Sequence, residues 1–261
     1  MPLSAAWPGS GRSALRPWRA REREWAALAL ATATACAVFS LWPQLDLWVS
    51  RGFYVDGLGF VGGRHALVLA VYEAVPWVTR ALALLALLVA LWTWRQPQRM
   101  PRHCRRRWAA LGLGLLLGVG LVVNGVLKET SGRARPAAVQ ELGGAGRFEP
   151  ALRPSQQCQR NCSFVSGHAA SGFAVAAWGL FGTPARRRRW LLVGTVLGLG
   201  IGLGRIAQGG HFASDIVFAG LLVALVHAAL REGWLRWRLR RSRHAAAMHA
   251  AETGGCREER P

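Results

Sequence analysis

Long apolar stretches that carry almost no charge recur along this chain, and they constrain its fold more than any other feature. We predict six membrane spans in them, at residues 25–42, 74–94, 108–127, 168–183, 190–204 and 212–230. A helix needs about 20 apolar residues to cross a bilayer. The fourth and fifth spans are short, so five helices or a re-entrant segment is the alternative. The sequence therefore predicts an all-α integral membrane protein built as a six-helix bundle.

The net charge of +20 suits either a nucleic-acid-binding protein or an arginine-flanked membrane protein. The arginines cluster between the apolar stretches and do not line one face of a polar helix, which argues against a nucleic acid as partner. Of the 33 Lys and Arg residues, 23 fall in four segments: the N-terminal segment, 95–107, 186–189 and the region from 231 onwards. The positive-inside rule places these segments in the cytoplasm, with both termini inside.

This topology divides the chain into a basic cytoplasmic N-terminal segment (1–24), a membrane domain (25–230) and a basic cytoplasmic tail (231–261). No convincing cleavage site accompanies the first span, so we expect a retained helix and not a removed signal peptide. The tail is either a solvated charge run or a contact to anionic lipids. The outer inserts are 43–73 and 128–165. The first is rich in aromatic residues and predicts an interfacial helix or loop, with a plain ordered loop as the alternative.

Two polar clusters fall on the predicted outer side, beside the third and fourth spans. Lys128, the single lysine of the chain, ends the third span and is followed by Arg135 in "KETSGRARP". Ser166, Gly167 and His168 open the fourth span in "CSFVSGHAA". Free backbone amides at a helix start, aided by the helix dipole, form a ready anion site. Taken singly, an interfacial cation and a Ser helix cap are ordinary structural features.

A third cluster on the outer side, "GLGRIAQGGHFASD", carries Arg205, His211 and Asp215. Residues four apart on a helix share a face, so we expect Asp215 to accept a hydrogen bond from His211. A helix cap that satisfies a histidine is the structural alternative. Together the three clusters supply three cations, hydrogen-bond donors, two histidines and a carboxylate. This combination suits a phosphoryl group, whose oxygens the cations neutralise.

The spacings K-x6-RP (Lys128 to Pro136), SGH (Ser166 to His168) and R-x5-H-x3-D (Arg205 to Asp215) resemble the three signature motifs of the type 2 phosphatidic acid phosphatase superfamily. Its membrane branch consists of six-helix lipid phosphatases. The resemblance implies that His211 is the nucleophile that forms a phosphohistidine, that Asp215 orients it, and that His168 is the general acid. It implies no metal or cofactor, and a phosphate held by Lys128, Arg135, Ser166, Gly167 and Arg205.

A site at the outer boundary of a bilayer favours a phosphorylated membrane lipid over a soluble ester. The insert before Ser166 resembles loops of bacterial members that include lipid A 1-phosphatases. Lipid A 1-phosphate is therefore the first choice, hydrolysed on the periplasmic face of a bacterial inner membrane. The alternatives are an undecaprenyl-diphosphate, phosphatidylglycerophosphate or phosphatidate phosphatase, a lipid phosphotransferase, or a membrane transporter or scaffold without catalysis. The sequence leaves the oligomeric state open.

Two further patterns concern packing. Cys158 and Cys162 lie in the outer loop before Ser166, and we expect a disulfide between them in an oxidising compartment, with two free thiols as the alternative. Gly194, Gly198 and Gly202 follow a small-xxx-small spacing that lets helices approach closely. Packing within the chain explains these glycines better than a dimer does.

Overall fold

The computed structural model describes residues 16–255, with the side chains of 21–245, 247 and 248. Its helices are α1 (Arg16–Leu41), α2 (Gln44–Arg51), α3 (Ala66–Arg95), α4 (Arg102–Leu113), α5 (Gly167–Ala174), α6 (Pro184–Ala207) and α7 (Ala213–Gly255). Helix α4 continues as a π-helix (Gly114–Leu127) and one α-turn (Lys128–Thr130), and α5 continues as a 3-10 helix (Val175–Gly179). Further 3-10 turns are Val61–Arg64, Pro97–Arg99, Pro136–Ala138 and Gln140–Leu142. Strands β1 (Tyr54–Val55) and β2 (Gly59–Phe60) form a small antiparallel hairpin.

Five helical segments are long and apolar enough to cross a membrane: Arg21–Leu41, Ala66–Arg95, Arg102–Thr130, Pro184–Ala207 and Ala213–Ala245. They correspond to five of the six predicted spans and confirm an all-α membrane protein. Each of these helices extends beyond the predicted span at one or both ends: α3 begins earlier with further apolar residues, and α7 continues into the arginine-rich region. The largest difference is in α7, which continues to Gly255, 25 residues past the predicted end of the span at 230.

The predicted span at 168–183 is formed by a shorter segment. Helix α5 and its 3-10 extension contain 8 and 5 residues, a length of roughly 20 Å against a hydrocarbon core of about 30 Å. The segment nevertheless runs along α4. Gly167 lies beside Asn124 at one end, and the ring of Trp178 lies 4.9 Å from that of Trp108 at the other. The six-span count therefore stays a prediction.

Charged residues gather at the end of the bundle where α1 and α6 begin, which we call the basic end. Glu24 accepts a hydrogen bond of 2.5 Å from Arg231 and lies 3.5 Å from Arg187. Arg21 pairs with Glu232 in the same region. Three of the four predicted basic segments thus meet through α1, α6 and α7. The opposite end of the bundle, which we call the loop end, carries both predicted outer inserts.

The predicted tail is not a separate segment at its start. Helix α7 runs unbroken from Ala213 to Gly255 and passes through the predicted boundary at residue 230. Arg106, from the fourth basic segment, places its guanidinium 5.6 Å from the ring of Trp234, in the part of α7 beyond that boundary. Residues 1–15 of the predicted N-terminal segment and residues 256–261 of the tail lie outside the described part of the chain.

The glycines of α6 pack within the chain. A Cβ atom on Gly198 would lie 2.4 Å from the ring of Phe173 in α5, and one on Gly202 would lie 2.5 Å from Ile216 in α7. Such distances exclude any larger residue unless a helix moves. The glycines therefore let α5 and α7 contact the backbone of α6, which supports the intramolecular alternative for this pattern.

The first outer insert forms α2, the β-hairpin and a 3-10 turn at the loop end. Helix α2 has two unlike faces, because Trp48 is 74% exposed whereas Asp46 and Ser50 are fully buried. An exposed indole on a short helix beside the spans suits the membrane interface. The buried carboxylate of Asp46 instead points toward the predicted site residues.

Candidate active site

The three predicted motif clusters meet at the loop end. Backbone hydrogen bonds join them: the N–H of Ser166 donates to the carbonyl of Asp215 (3.2 Å), and the N–H of Cys162 donates to the carbonyl of Lys128 (3.2 Å). The segment that leads into α5 is therefore fixed between the end of the extended α4 helix and the start of α7. Residues more than 80 positions apart in sequence become neighbours.

His211 is buried in the turn between α6 and α7, with 1% of its surface exposed. Its Nδ1 atom lies 2.7 Å from the carbonyl oxygen of Ser163. A carbonyl oxygen can only accept a hydrogen bond, so Nδ1 carries the hydrogen and Nε2 keeps its lone pair. The predicted hydrogen bond to Asp215 is replaced by a longer contact, since Nδ1 lies 3.6 Å from Asp215 Oδ2.

The reason for this difference is that Asp215 Oδ2 is already engaged. It accepts a hydrogen bond of 2.5 Å from the Ser163 hydroxyl and one of 2.8 Å from the backbone N–H of Phe212. The same arrangement brings the carbonyl of Ser163 next to the imidazole. Ser163 therefore links the two side chains: its hydroxyl donates to Asp215, and its carbonyl faces the imidazole of His211.

Burial lowers the pKa of His211 to about 4, although its contact with Asp215 raises it. The positive charges of Arg205 and Lys128 lower this pKa further. The imidazole is therefore neutral near pH 7. A neutral ring with a free Nε2 lone pair can act as a nucleophile.

The side chain that holds Asp215 is Arg133, which no sequence motif indicated. Arg133, only 2% exposed, donates hydrogen bonds to Asp215 Oδ1 (2.6 Å), to the hydroxyl of Ser214 (2.8 Å) and to Asp46 Oδ2 (2.7 Å). Its guanidinium carbon also lies 4.3 Å from the ring centre of Phe212. We call Asp46, Arg133, Ser214 and Asp215 the Arg133 network.

Asp46 links α2 to this network. It accepts hydrogen bonds from the backbone N–H (2.8 Å) and the hydroxyl (2.6 Å) of Ser214. Burial raises the pKa of Asp46, and the guanidinium of Arg133 opposes that shift. A lone carboxylate between Leu45 and Leu47, in an aromatic insert, is the sequence signal that could have indicated a buried partner.

Lys128, Arg135 and Arg205 form a second group of cations, which we call the cation cluster. The Lys128 ammonium contacts Asn161 Oδ1 (3.2 Å), and Arg135 donates to the Asn161 carbonyl (2.9 Å). Arg205 donates to the side chain of Gln208. Within the described residues, none of the three forms an ion pair with a carboxylate. Their charges are close enough to act on one another, so the cluster suits an anion.

Two glycines make room for these cations. A Cβ atom on Gly210 would lie 2.1 Å from Arg205 Nη2, and one on Gly167 would lie 2.7 Å from the side-chain oxygen of Asn124 and 3.3 Å from Lys128 Nζ. Arg205 is only 6% exposed, and its Nε has no hydrogen-bond partner in the described part of the chain. A buried guanidinium with an unused donor is a further sign of a site that receives an anionic ligand.

The other two predicted site residues lie at the start of α5. The hydroxyl of Ser166 caps the helix by accepting a hydrogen bond from the N–H of Ala169 (3.3 Å). His168 is half-buried and stacks on Tyr72 of α3, with ring centres 4.9 Å apart. Its Nε2 lies 3.2 Å from the Tyr72 carbonyl oxygen. The N-terminus of α5 therefore faces the cation cluster, with His168 held from the α3 side.

A cavity of about 380 Å³ adjoins this site between α3 and α4, and its lining includes Lys128, Gly167 and His168. A second cavity of about 310 Å³ follows α3 and α6 from Tyr72 and Arg205 along apolar side chains. Across the described residues, no three His, Cys, Asp or Glu side chains are grouped closely enough to hold a metal ion.

The sulfur atoms of Cys158 and Cys162 are bonded in the structure, with Cα atoms 5.6 Å apart. The bridge encloses Asn161, whose carbonyl and side chain contact two cations of the cluster. The disulfide therefore constrains the loop that positions Lys128 and Arg135.

The sequence model of the PAP2 superfamily matches residues 107–240, a segment that contains all three motifs. The chain belongs to the PAP2 superfamily. A lipid A 4'-phosphatase of Francisella tularensis subsp. novicida (strain U112) is 34% identical over 190 residues, which cover 71% of this chain and 84% of the relative. Lipid A 4'-phosphatases of Rhizobium etli and Rhizobium leguminosarum are each 31% identical, over 218 and 209 residues. These alignments cover 74% of this chain and 80% and 89% of the relatives. No solved structure matches the chain.

Membership in the PAP2 superfamily and the resemblance to lipid A phosphatases make the protein a phosphoric ester hydrolase. Its apolar helices place it in a membrane. The protein is thus a membrane lipid phosphatase, and its substrate is a phosphorylated lipid.

Proposed function

We propose that this PAP2 phosphatase removes the 4'-phosphate of lipid A through a phosphohistidine on His211. The observation that carries the proposal is the pairing of a buried, neutral His211 with three cations that form no ion pair with any carboxylate of the described residues. The three relatives above are named for the 4'-position, which favours it over the 1-position expected from the sequence. Both positions carry a phosphate on a sugar, so the same residues serve either reaction.

Phosphate binding would use the cation cluster and the N-terminus of α5. The non-bridging oxygens would contact Lys128, Arg135 and Arg205, and the backbone amide of Gly167 would face them from the helix start. Ser166 would hold that helix start in place through its cap. Charge that develops on these oxygens in the transition state would be stabilised without reorganisation of the site.

In the first chemical step, the Nε2 lone pair of His211 attacks phosphorus, and the bond from phosphorus to the sugar oxygen breaks. The departing oxygen takes a proton from His168. The positive charge on the phosphorylated ring is stabilised by the Ser163 carbonyl and by Asp215. In the second step, water attacks phosphorus, gives a proton to His168 and releases His211 with phosphate.

His168 is suitably held to exchange that proton. The Tyr72 carbonyl accepts a hydrogen bond from Nε2 and fixes the hydrogen there. This leaves Nδ1 as the nitrogen that gains and loses the catalytic proton. The stacked ring of Tyr72 keeps the imidazole in one plane while it does so.

We further propose that the site faces the periplasm of a bacterial inner membrane, with both termini in the cytoplasm. The basic end carries the arginine-rich segments, which favour the cytoplasm. A disulfide at the loop end is expected in an oxidising compartment. Single cysteines at Arg147 and Arg187, in a background without the native thiols, test this with an impermeant reagent on intact cells. Labelling at 187 but not at 147 would reverse the topology.

The substrate is tested with purified protein and lipid A that carries both phosphates, or only the 1- or only the 4'-phosphate. Undecaprenyl diphosphate, phosphatidylglycerophosphate and phosphatidate are assayed in parallel. We expect phosphate release and a mass loss at the 4'-position only. Loss of the 1-phosphate alone would reassign the position. Transfer to a second lipid without free phosphate would support the phosphotransferase alternative.

The two histidines are separated by trapping the phosphoenzyme with p-nitrophenyl phosphate, whose leaving group needs little protonation. We expect His168→Ala to form and accumulate an acid-labile phosphoenzyme, and His211→Ala to form none. His65→Ala, an exposed histidine at the start of α3, serves as the matched control. Label retained by His211→Ala would show that another residue is the nucleophile.

A further inference from the structure

One charged side chain in the membrane has no role in the site described above. Arg80 lies near the middle of α3, and it is the only charged residue between positions 74 and 94. Charged groups in a bilayer core are costly, and they mark functional positions by default. In the described part of the chain, Arg80 makes no hydrogen bond or ion pair, and its guanidinium carbon lies 5.3 Å from the ring centre of Trp77.

The contact with Trp77 fixes the direction of Arg80. Trp77 precedes Arg80 by three residues, toward the N-terminus of α3, and the N-terminal part of α3 carries Tyr72 beside His168. Side chains on a helix tilt toward its N-terminus, so the guanidinium extends toward the active site. Trp77 is 70% exposed, and Arg80 beside it is exposed as well.

Arg80 lines the same cavity as the site residues Lys128, Gly167 and His168. The cavity of about 380 Å³ between α3 and α4 is bounded by Arg80 as well as by Lys128 and His168, and its other polar lining residues include Asn124 and Ser171. It therefore extends from the cation cluster into the depth of the membrane.

Helices α3 and α4 touch below this cavity and separate at its level. A Cβ atom on Gly112 would lie 3.0 Å from that of Ala86, which shows close contact nearer the basic end. Toward the loop end the two helices lie farther apart, and the cavity occupies the gap between Thr79 and Val119. The cavity is thus an inlet between two helices that ends at the phosphate site.

We propose that Arg80, together with Asn124, forms a subsite for the carbonyl oxygens of the acyl linkages of the lipid. The proposal rests on the proposed function in that the phosphate is held by the cation cluster. A lipid held there presents ester or amide carbonyls next below its phosphate, followed by apolar chains. A guanidinium has only donors to offer, and carbonyl oxygens are the acceptors that a lipid brings to this depth. A second phosphate would have to leave the membrane surface to reach it, at a high cost in desolvation.

The test compares two lipids that differ only in these carbonyls: dioctanoyl phosphatidate and its dioctyl ether analogue. Equilibrium binding to purified His211→Ala protein in detergent micelles avoids turnover. We expect the ester lipid to bind about tenfold more tightly than the ether lipid, as one hydrogen bond to a charged group allows. Adding Arg80→Leu should weaken ester binding to the level of the ether lipid and leave ether binding unchanged. Arg95→Leu, at the exposed basic end of the same helix, is the matched control.

Equal binding of the two lipids to the protein with Arg80 intact, or no binding of either, would overturn the subsite. A parallel loss for both lipids in Arg80→Leu would also overturn it, since that result indicates an interfacial anchor that shapes the bundle. Because no turnover is needed, the result stands apart from the proposed function. If wild-type protein releases no phosphate from lipid A, the proposed function is refuted. The difference in binding between the ester and ether lipids can still be measured in that case.

Discussion

The Arg133 network and the cation cluster lie side by side at the loop end, and they differ in how the charges of their cations are compensated. Arg133 is buried between Asp46 and Asp215, with hydrogen bonds of 2.6 to 2.8 Å to three side chains of its network. Arg135, two residues along the chain, and Arg205 have no carboxylate partner among the side chains described. Arg133 and Arg135 thus lie in one short motif but differ in whether a carboxylate compensates their charge.

The difference identifies which charges belong to the fold and which await a ligand. The Arg133 network is satisfied internally, so it fixes α2, the first motif and the start of α7 relative to one another. By fixing these segments, the Arg133 network keeps the three cations of the cluster close together despite their mutual repulsion. Because no carboxylate pairs with them in the described part of the chain, we expect these three cations to gain their counter-charge from a bound anion. Stability should therefore depend on the network, and activity on the cluster.

The largest effect is expected from breaking the network. Arg133→Met would leave Asp46 and Asp215 buried without a counter-charge, and such a change costs about 3–5 kcal/mol. We expect a large fall in the melting temperature in detergent and poor recovery of folded protein. Arg135→Met is the matched control and should melt close to wild type. Equal melting temperatures for the two variants would remove the distinction between the groups.

The converse experiment removes a cation of the cluster. Arg205→Met should lower the rate of phosphate release by about 10²–10³, the cost of removing one donor that stabilises transition-state charge. It should leave the melting temperature unchanged or raised, because one source of repulsion is gone. Phosphate release and melting are measured on the same preparation. If the variant loses stability in proportion to activity, Arg205 has a structural role like that of the Arg133 network.

His211 lies between the two groups, and its titration tests both. Its pKa is lowered to about 4, so between pH 6.5 and 4 the unfolded chain binds a proton that the folded protein does not. The stability due to the neutral ring is full above pH 6.5 and is lost as the pH falls toward 4, by about 3 kcal/mol. Melting curves across this range measure it.

The same pKa of His211 should set the acid side of the pH–rate profile for phosphoenzyme formation. Phosphoenzyme formation from p-nitrophenyl phosphate should keep its rate down to about pH 5, because His211 stays neutral there. A rapid-quench series from pH 4 to 8 measures the burst. An acid limb near pH 6.5 would mean that the nucleophile is solvated and outside the influence of the cation cluster.

Much of this arrangement was predictable because its signals are local. Long apolar runs predict spanning helices, and the short spacing of Arg205, His211 and Asp215 places them at the end of one helix, in the turn after it and at the start of the next helix. The short α5 was harder to predict. Its apolar residues suggest a full span, whereas the structure has 13 helical residues there that pack against α4 and α6.

The Arg133 network could not be predicted in the same way, because its contacts are distant in sequence. Asp46 and Arg133 are 87 residues apart, and Ser163 and His211 are 48 apart. The K-x6-RP spacing selects Arg135, but no local pattern indicates the buried contacts of Arg133. Only the packing of α2 against the start of α7 decides which guanidinium receives the carboxylates.

The smallest effect is expected from the disulfide, and it should fall on the cluster alone. The bridge from Cys158 to Cys162 closes a very short loop, for which chain entropy gives about 2 kcal/mol. Asn161 within it contacts Lys128 and Arg135 but no member of the Arg133 network. The Cys158→Ser/Cys162→Ser double variant should therefore raise KM with little change in kcat, since the phosphate is held less firmly while His211 keeps its position. Reduction of the wild type should reproduce this effect, and an unpaired Cys104→Ser variant should not. A fall in kcat with an unchanged KM would instead connect the loop to Ser163 and the orientation of His211.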